Sequence, residues 1–174
     1  MTPVPGQLMD NYRTTDLTLP TIAQQGATAE HDNLQQFIGA WRLEGRQIDT
    51  DVGPAAEING VERFEWLSGG FFLVHNFHAH VGEAKAACIE IIGYNARDDL
   101  YPIRTYYDNG KVNEWSMRDG SGVWITTGDW SIGGEIRRVR CANVFVDPRV
   151  RTCMWEYAID GAWRTFWDVR ATGL

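Results

Sequence analysis

Glu62 and His75 lie at equal distances on either side of Ser68-Gly69, a dipeptide that marks a turn. If that turn has two residues, Trp66 pairs with Phe71, Phe64 with Leu73, and Glu62 with His75. A carboxylate and an imidazole facing each other among aromatic side chains perturb each other's pKa and can serve as acid and base. The plainer interpretation is a cross-strand ion pair. A loop one residue longer turns His75 outward and brings in Asn76, His78 and His80, and the sequence leaves that choice open. Further along, Arg104 and Tyr106 alternate on one strand face. A guanidinium beside a phenol can anchor a carboxylate or phenolate oxygen, the alternative being a structural arginine. His78-x-His80 sets two imidazoles on one face of a strand, as a metal site would. The only other histidines are His31 and His75, and no carboxylate stands at a telling spacing. Exposed strand histidines and no metal are therefore expected.

The elements that must position these groups are strands. Trp41, Leu43 and Gly45 alternate with Arg42, Glu44 and Arg46, the period of a strand with one face buried. A run of hairpins follows, with turns at Ser68-Gly69, Asn109-Gly110, Asp119-Gly120, Gly133-Gly134, Asp147-Pro148 and Asp160-Gly161. About ten short strands at near-regular spacing, without long crossings, give an all-β fold, an antiparallel up-and-down barrel. A short helix over Thr28 to Ile38 places Leu34, Phe37 and Ile38 on one face and would plug one end. Residues 1–27, rich in Pro, Gly, Thr and Gln, are expected to form an extended arm, and residues 28–174 a single barrel domain.

Two-residue turns would also set Arg104 opposite Trp115, Trp115 opposite Trp124, Trp130 opposite Arg137 and Thr126 opposite Cys141. The inner face would then carry Arg104, Tyr106, Asn113, Trp115, Met117, Trp124, Thr126, Trp130, Cys141 and Asn143. On the last hairpin Met154, Glu156, Trp163, Thr165 and Trp167 form the inner set, because Arg164, Asp168 and Arg170 share the other parity. The strand Ala86 to Asn95 is apolar on both faces except for Glu90.

Composition narrows the functional classes. A net charge of −7 and a pI near 5.0 argue against a general nucleic-acid binder. Cys88, Cys141 and Cys153 are odd in number and widely spaced, which suits neither a disulfide framework nor structural zinc. There is no secretory leader pattern and no run of about 18 apolar residues, so the expectation is a cytoplasmic protein without a membrane partner. No phosphate loop, nucleophile elbow or zinc-protease signature is present.

Four segments carry a family likeness: Phe37-Ile38-Gly39-Ala40-Trp41-Arg42, Phe64 to Leu73, Ile91-Ile92-Gly93-Tyr94-Asn95 and Tyr107-Asp108-Asn109-Gly110. In this order they resemble the lipocalin-like bacterial proteins grouped as domain of unknown function 1579, over roughly Leu34 to Arg170. The resemblance implies a calycin-type barrel and no settled activity. Nitrobindin-like haem proteins also open on a Gly-x-Trp strand, but their haem is held by a late histidine, and this chain has none after His80. No haem or other cofactor is expected. By analogy with lipocalins, in which a last-strand arginine packs over the first-strand tryptophan, Arg170 would cover Trp41.

The functional expectation is a barrel that binds a small, largely apolar or aromatic molecule as a carrier or binding module. Its contacts would be Trp66, Arg104, Asn113, Trp115, Trp124, Asn143, Glu156 and Trp167. The alternative is a cofactor-independent lyase, isomerase or cyclase acting on a small aromatic, polyketide-like or terpenoid-like substrate, with Glu62, His75 and Tyr106 in proton transfer. A homodimer is conceivable through exchange of the N-terminal arms.

Overall fold

In the first strand, β1 (Gly39–Gln47), Trp41 and Leu43 are buried while Arg42 and Glu44 are exposed, the alternation that lets one face build a core. Nine strands follow, β2 (Ala56–Trp66), β3 (Leu73–Val81), β4 (Ala84–Ile92), β5 (Tyr101–Tyr107), β6 (Val112–Asp119), β7 (Val123–Ile132), β8 (Glu135–Asp147), β9 (Val150–Ile159) and β10 (Ala162–Gly173). The two-residue rhythm recurs in β5 and in much of β2 and β7, whereas β4 lacks it, with Ala86, Ala87 and Cys88 all half-buried. A computed structural model describes residues 27–174; the arm expected over residues 1–27 lies almost wholly outside them.

The ten strands form a closed antiparallel barrel in which each strand pairs with its sequence neighbours and β1 closes on β10. Closure leaves no unpaired strand edge. One end is sealed by a short helix, α1 (Ala29–Asp32), which continues as a 3-10 turn over Asn33–Phe37. This segment buries Leu34 and Phe37. The Phe37 ring sits 5.5 Å from Phe64, 5.3 Å from Trp124 and 5.1 Å from Phe145. Trp41 completes this floor, and its indole N–H donates to the Phe37 carbonyl at 2.8 Å. No helix among the described residues is long and apolar enough to cross a membrane.

Loop lengths decide which expected residues reach the interior. The β2–β3 connection is two residues longer than a tight turn, so Phe64 pairs with His75 and Glu62 with Phe77. An even slip preserves the faces, and Glu62 and His75 both point inward, diagonally related. The β6–β7 slip is four residues, with Trp115 opposite Gly128, and again the faces hold. β7 and β8 pair in the expected register, Trp130 with Arg137 and Thr126 with Cys141. At Asn109-Gly110 the loop has three residues, closed by Tyr107 N–H donating to the Lys111 carbonyl at 3.0 Å, with Gly110 at φ +81°. That odd slip turns β5 over. Ile103 and Thr105 face inward, while Arg104 and Tyr106, expected inside, lie on the outer surface opposite Glu114 and Val112.

A second correction comes from a bulge in β10 between Thr165 and Trp167. The extra residue reverses the strand's phase. Phe166 is fully buried and Trp167 still faces inward, but Trp163 and Thr165 turn outward. On β9 the inward residues are Arg151, Cys153, Trp155 and Tyr157, which pair through the bulged ladder, rather than Met154 and Glu156. Glu156 is nonetheless covered, because the Arg140 guanidinium on the outer face binds its carboxylate at 2.6 Å. The lipocalin analogy is corrected too: Arg170 is exposed, and the guanidinium over Trp41 is that of Arg151, 5.5 Å from the ring.

One position shows how tightly the wall is built. The Trp115 ring lies against Gly128, and a methyl group at that position would overlap the indole. Gly128→Ala is expected to destabilise the fold by about 1–3 kcal/mol, the usual range for overpacking. Urea unfolding of Gly128→Ala, Trp115→Leu and the double variant checks this. In the double variant the glycine substitution should cost less than in the parent. Strict additivity would mean that the indole does not restrict the site.

Candidate functional site

Between the sealed floor and the opposite end the barrel encloses a cavity of about 330 Å³, at the lower end of the range for small-molecule sites. Its walls are mainly aromatic. Phe37 and Phe64 stand at the floor, Phe77, Trp115 and Trp155 at mid-height, and Trp130 and Trp167 near the mouth. Lys85, Asp108 and Asn109 mark the opening on the β4–β5 side. The Trp167 indole N–H is fixed by Gln47 Oε1 at 2.8 Å, and Gln47 in turn holds the Pro54 carbonyl of the β1–β2 loop at 2.7 Å.

Across the inner end of this cavity runs one continuous polar network. Arg151 Nη2 donates to Glu62 Oε1. Glu62 Oε2 meets His75 Nε2 at 3.1 Å, and His75 Nδ1 meets Glu90 Oε2 at 2.7 Å. Thr105 Oγ1 donates to Glu90 Oε1 at 2.7 Å, and Trp115 Nε1 donates to Thr105 Oγ1 at 3.0 Å. On the far side Arg151 Nη1 reaches Asn143 Oδ1 and Cys153 Sγ. Strands β2, β3, β4, β5, β6, β8 and β9 each contribute a member, because the inward parity of each brings its residue to the same level.

The hydrogen bonds define the charges. Both nitrogens of His75 face carboxylate oxygens, and only the imidazolium donates from both. Burial alone would lower the imidazole pKa, but the bonds to Glu62 and Glu90 outweigh it and lift His75 to about 9. Burial pushes the carboxyl groups the other way. Arg151 and His75 prevail at Glu62, and His75 and Thr105 at Glu90, so both stay below the usual carboxylate range. Two anions and two cations therefore sum to zero. The Arg151 guanidinium also lies within 6 Å of the Phe37, Trp41 and Phe64 rings, a cation–π cage. The Phe64 ring stacks on His75 at 3.9 Å, within 2° of parallel. The three cysteines line the same cavity. Burial raises each thiol, Cys153 to about 11 and Cys88 and Cys141 as well, so none is an activated nucleophile.

The expected residues fall into three groups. Glu62 and His75 are in contact within the network, and Trp115, Asn143 and Trp167 line the cavity. Asn113 faces inward in register with Thr105 and is half-buried. Trp124 and Trp66 belong to the floor: Trp124 is fully buried against Phe37 and Tyr101, and Trp66 donates to Gln35 Oε1. Arg104, Tyr106 and Glu156 lie outside the cavity, as do the exposed His78 and His80. Among the described residues no cluster of His, Cys, Asp or Glu has the arrangement of a metal site. Sequence reasoning missed Glu90, Thr105 and Arg151 as members of the site. Glu90 had a signal, being the lone charge in an apolar strand.

Comparison with known proteins follows the fold more closely than the site. The family model described as "Protein of unknown function (DUF1579)" matches residues 26–159. Among solved structures, an S-type phycobiliprotein lyase from Guillardia theta is similar, with a TM-score of 0.54 and 10% sequence identity, covering 83% of this chain and 94% of that one. At that identity the similarity speaks for the barrel alone. No curated protein matches the chain.

The network carries a pH signature. Because His75 is raised in the folded barrel to about 9, its contribution is complete below the free-imidazole value near 6.5 and is lost as pH rises through the folded value. Glu62 and Glu90, lowered on folding, contribute above the ordinary carboxylate range and lose that contribution as pH falls through their folded values. Urea unfolding should therefore show stability falling by about 3 kcal/mol between pH 6 and 9 through His75 alone. His75→Gln should flatten that limb. An identical alkaline slope in both proteins would refute the charged clamp.

Proposed function

The chain belongs to the DUF1579 family, and from its closed barrel we propose that it binds one small, largely apolar, aromatic molecule in the interior as a binding or carrier module. The observation that carries this reading is the coexistence of an aromatic-lined cavity of about 330 Å³ with a charge-neutral network of paired ions at its inner end. A packed barrel of this kind would fill its interior with side chains, whereas this one keeps ligand-sized space.

The catalytic alternative finds less support. An acid–base catalyst needs a lone pair or proton aimed at substrate and poised near neutral pH. His75 is already protonated there, and both of its nitrogens are engaged by carboxylates. Tyr106, the third group that reading required, is on the outer surface. The arginine–phenol anchor is removed on the same ground, since Arg104 pairs with Glu114 outside the barrel at 3.6 Å. A ligand is thus held chiefly by aromatic contact, and an anionic one meets no unpaired cation at the inner end.

N-phenyl-1-naphthylamine, a neutral probe that brightens in apolar surroundings, tests this directly. Its fluorescence should rise on titration with the protein and saturate at one probe per chain. Cys88→Trp, which places an indole in the cavity wall, should abolish the rise while the protein still melts cooperatively. No enhancement with the parent protein, or undiminished enhancement with the folded variant, would overturn the proposal.

A further inference from the structure

The charged, hydroxyl and indole donors that reach the inner end of the cavity are committed; Arg151 Nε has no partner but is buried out of reach of the cavity. Arg151 serves Glu62, Asn143 and Cys153; His75 serves both carboxylates; Thr105 serves Glu90; and Trp115 serves Thr105. The acceptors are not equally exposed. A carboxylate offers about four lone-pair positions, and Glu62 and Glu90 each have one partner on each oxygen. The Glu90 side chain, however, keeps 19% of its surface, against 10% for His75, 5% for Glu62 and 4% for Arg151. Position 90 is in register with the inward-facing His75 and Thr105 and belongs to the cavity wall. That remaining surface therefore opens on the cavity. Glu90 is thus the member of the ion quartet with the most surface on the cavity, and its carboxylate can only accept.

Resting on the binding reading above, we propose that the ligand is an uncharged, flat aromatic molecule bearing an N–H or O–H donor, which it presents to the Glu90 carboxylate. Charge balance selects against the alternatives. A cationic ligand would leave one net buried charge beside an already neutral network, and an anionic one would oppose Glu90, because Lys85, the one lining cation outside the network, stands at the solvent-exposed opening. An aromatic ring without a donor fits the walls but leaves the carboxylate partly unsatisfied once water is displaced. The carboxylate of Asp108 at the opening is a weaker candidate acceptor, because solvent competes there.

Three tricycles of nearly equal shape separate these cases: carbazole carries an N–H, dibenzofuran a ring oxygen, and fluorene a methylene. Each is used to displace N-phenyl-1-naphthylamine from the intact protein. Carbazole should displace it at a concentration about tenfold lower than either of the others, the scale of one hydrogen bond to a charged acceptor. Glu90→Gln should narrow that preference to about threefold or less, since a neutral amide accepts more weakly; the ratio of carbazole to fluorene within the variant is what is read, so that a change common to all ligands cancels. In the parent protein the N–H proton resonance of bound nitrogen-15-labelled carbazole should lie downfield of the free molecule, a readout that needs no variant. Equal displacement by all three, an unchanged preference in the folded variant, or an N–H resonance like that of the free molecule each overturns the donor assignment and leaves the binding reading standing. Failure of the probe itself to bind overturns both.

Discussion

The ion quartet of Arg151, Glu62, His75 and Glu90 is the constraint around which the interior is arranged. A charge taken out of water alone costs several kcal/mol even after relaxation, and removing one partner of a buried pair costs about 3–5 kcal/mol. None of the four can therefore be indifferent to the others. Their side chains come from β9, β2, β3 and β4, so the pairing joins strands on opposite sides of the barrel. The four charges can pair only when those walls keep their relative placement, which makes the network a selector of register.

The aromatic groups make sense against that constraint. Phe64 stacks flat on the His75 imidazolium, and Phe37, Trp41 and Phe64 surround the Arg151 guanidinium. Ring faces carry partial negative charge and stabilise cations that water cannot reach. The 3-10 turn that seals the floor thus has two roles through Phe37: it excludes solvent from the quartet and supplies one wall of the guanidinium cage. Gly39-Ala40-Trp41, at the start of β1, is part of the same construction, since the Trp41 indole N–H ties β1 back to the Phe37 carbonyl.

The barrel was legible in the sequence because alternation and turn dipeptides are local properties, and each strand's inward set follows from parity. Parity survives an even error in loop length and fails on an odd one. Glu62 and His75 therefore reached the interior despite a two-residue error at Ser68-Gly69, whereas one extra residue at Asn109-Gly110 put Arg104 and Tyr106 outside. The β10 bulge acted in the same way on Trp163, Thr165 and Glu156. Arg151 had no local signal at all. A lone arginine beside Val150 is indistinguishable from a surface residue until the closure of the barrel brings Glu62 opposite it. Its partner is 89 residues away in the chain.

A buried polar network in a small barrel is costly compared with an all-apolar core of the same volume, so its presence calls for a role that packing cannot fill. Apolar side chains placed at positions 62, 75, 90 and 151 would be free to close on one another and on the aromatic walls, erasing the space they border. Paired ions resist this. Each must keep its hydrogen-bond geometry with a neighbour on another strand, and the pairs together span the barrel like a strut. The cavity then persists above the quartet because the groups beneath it cannot move into it without losing partners. What distinguishes this interior is a floor rigid through charge and walls adaptable through aromatic contact, and those are the properties a site needs to hold a flat molecule in one orientation.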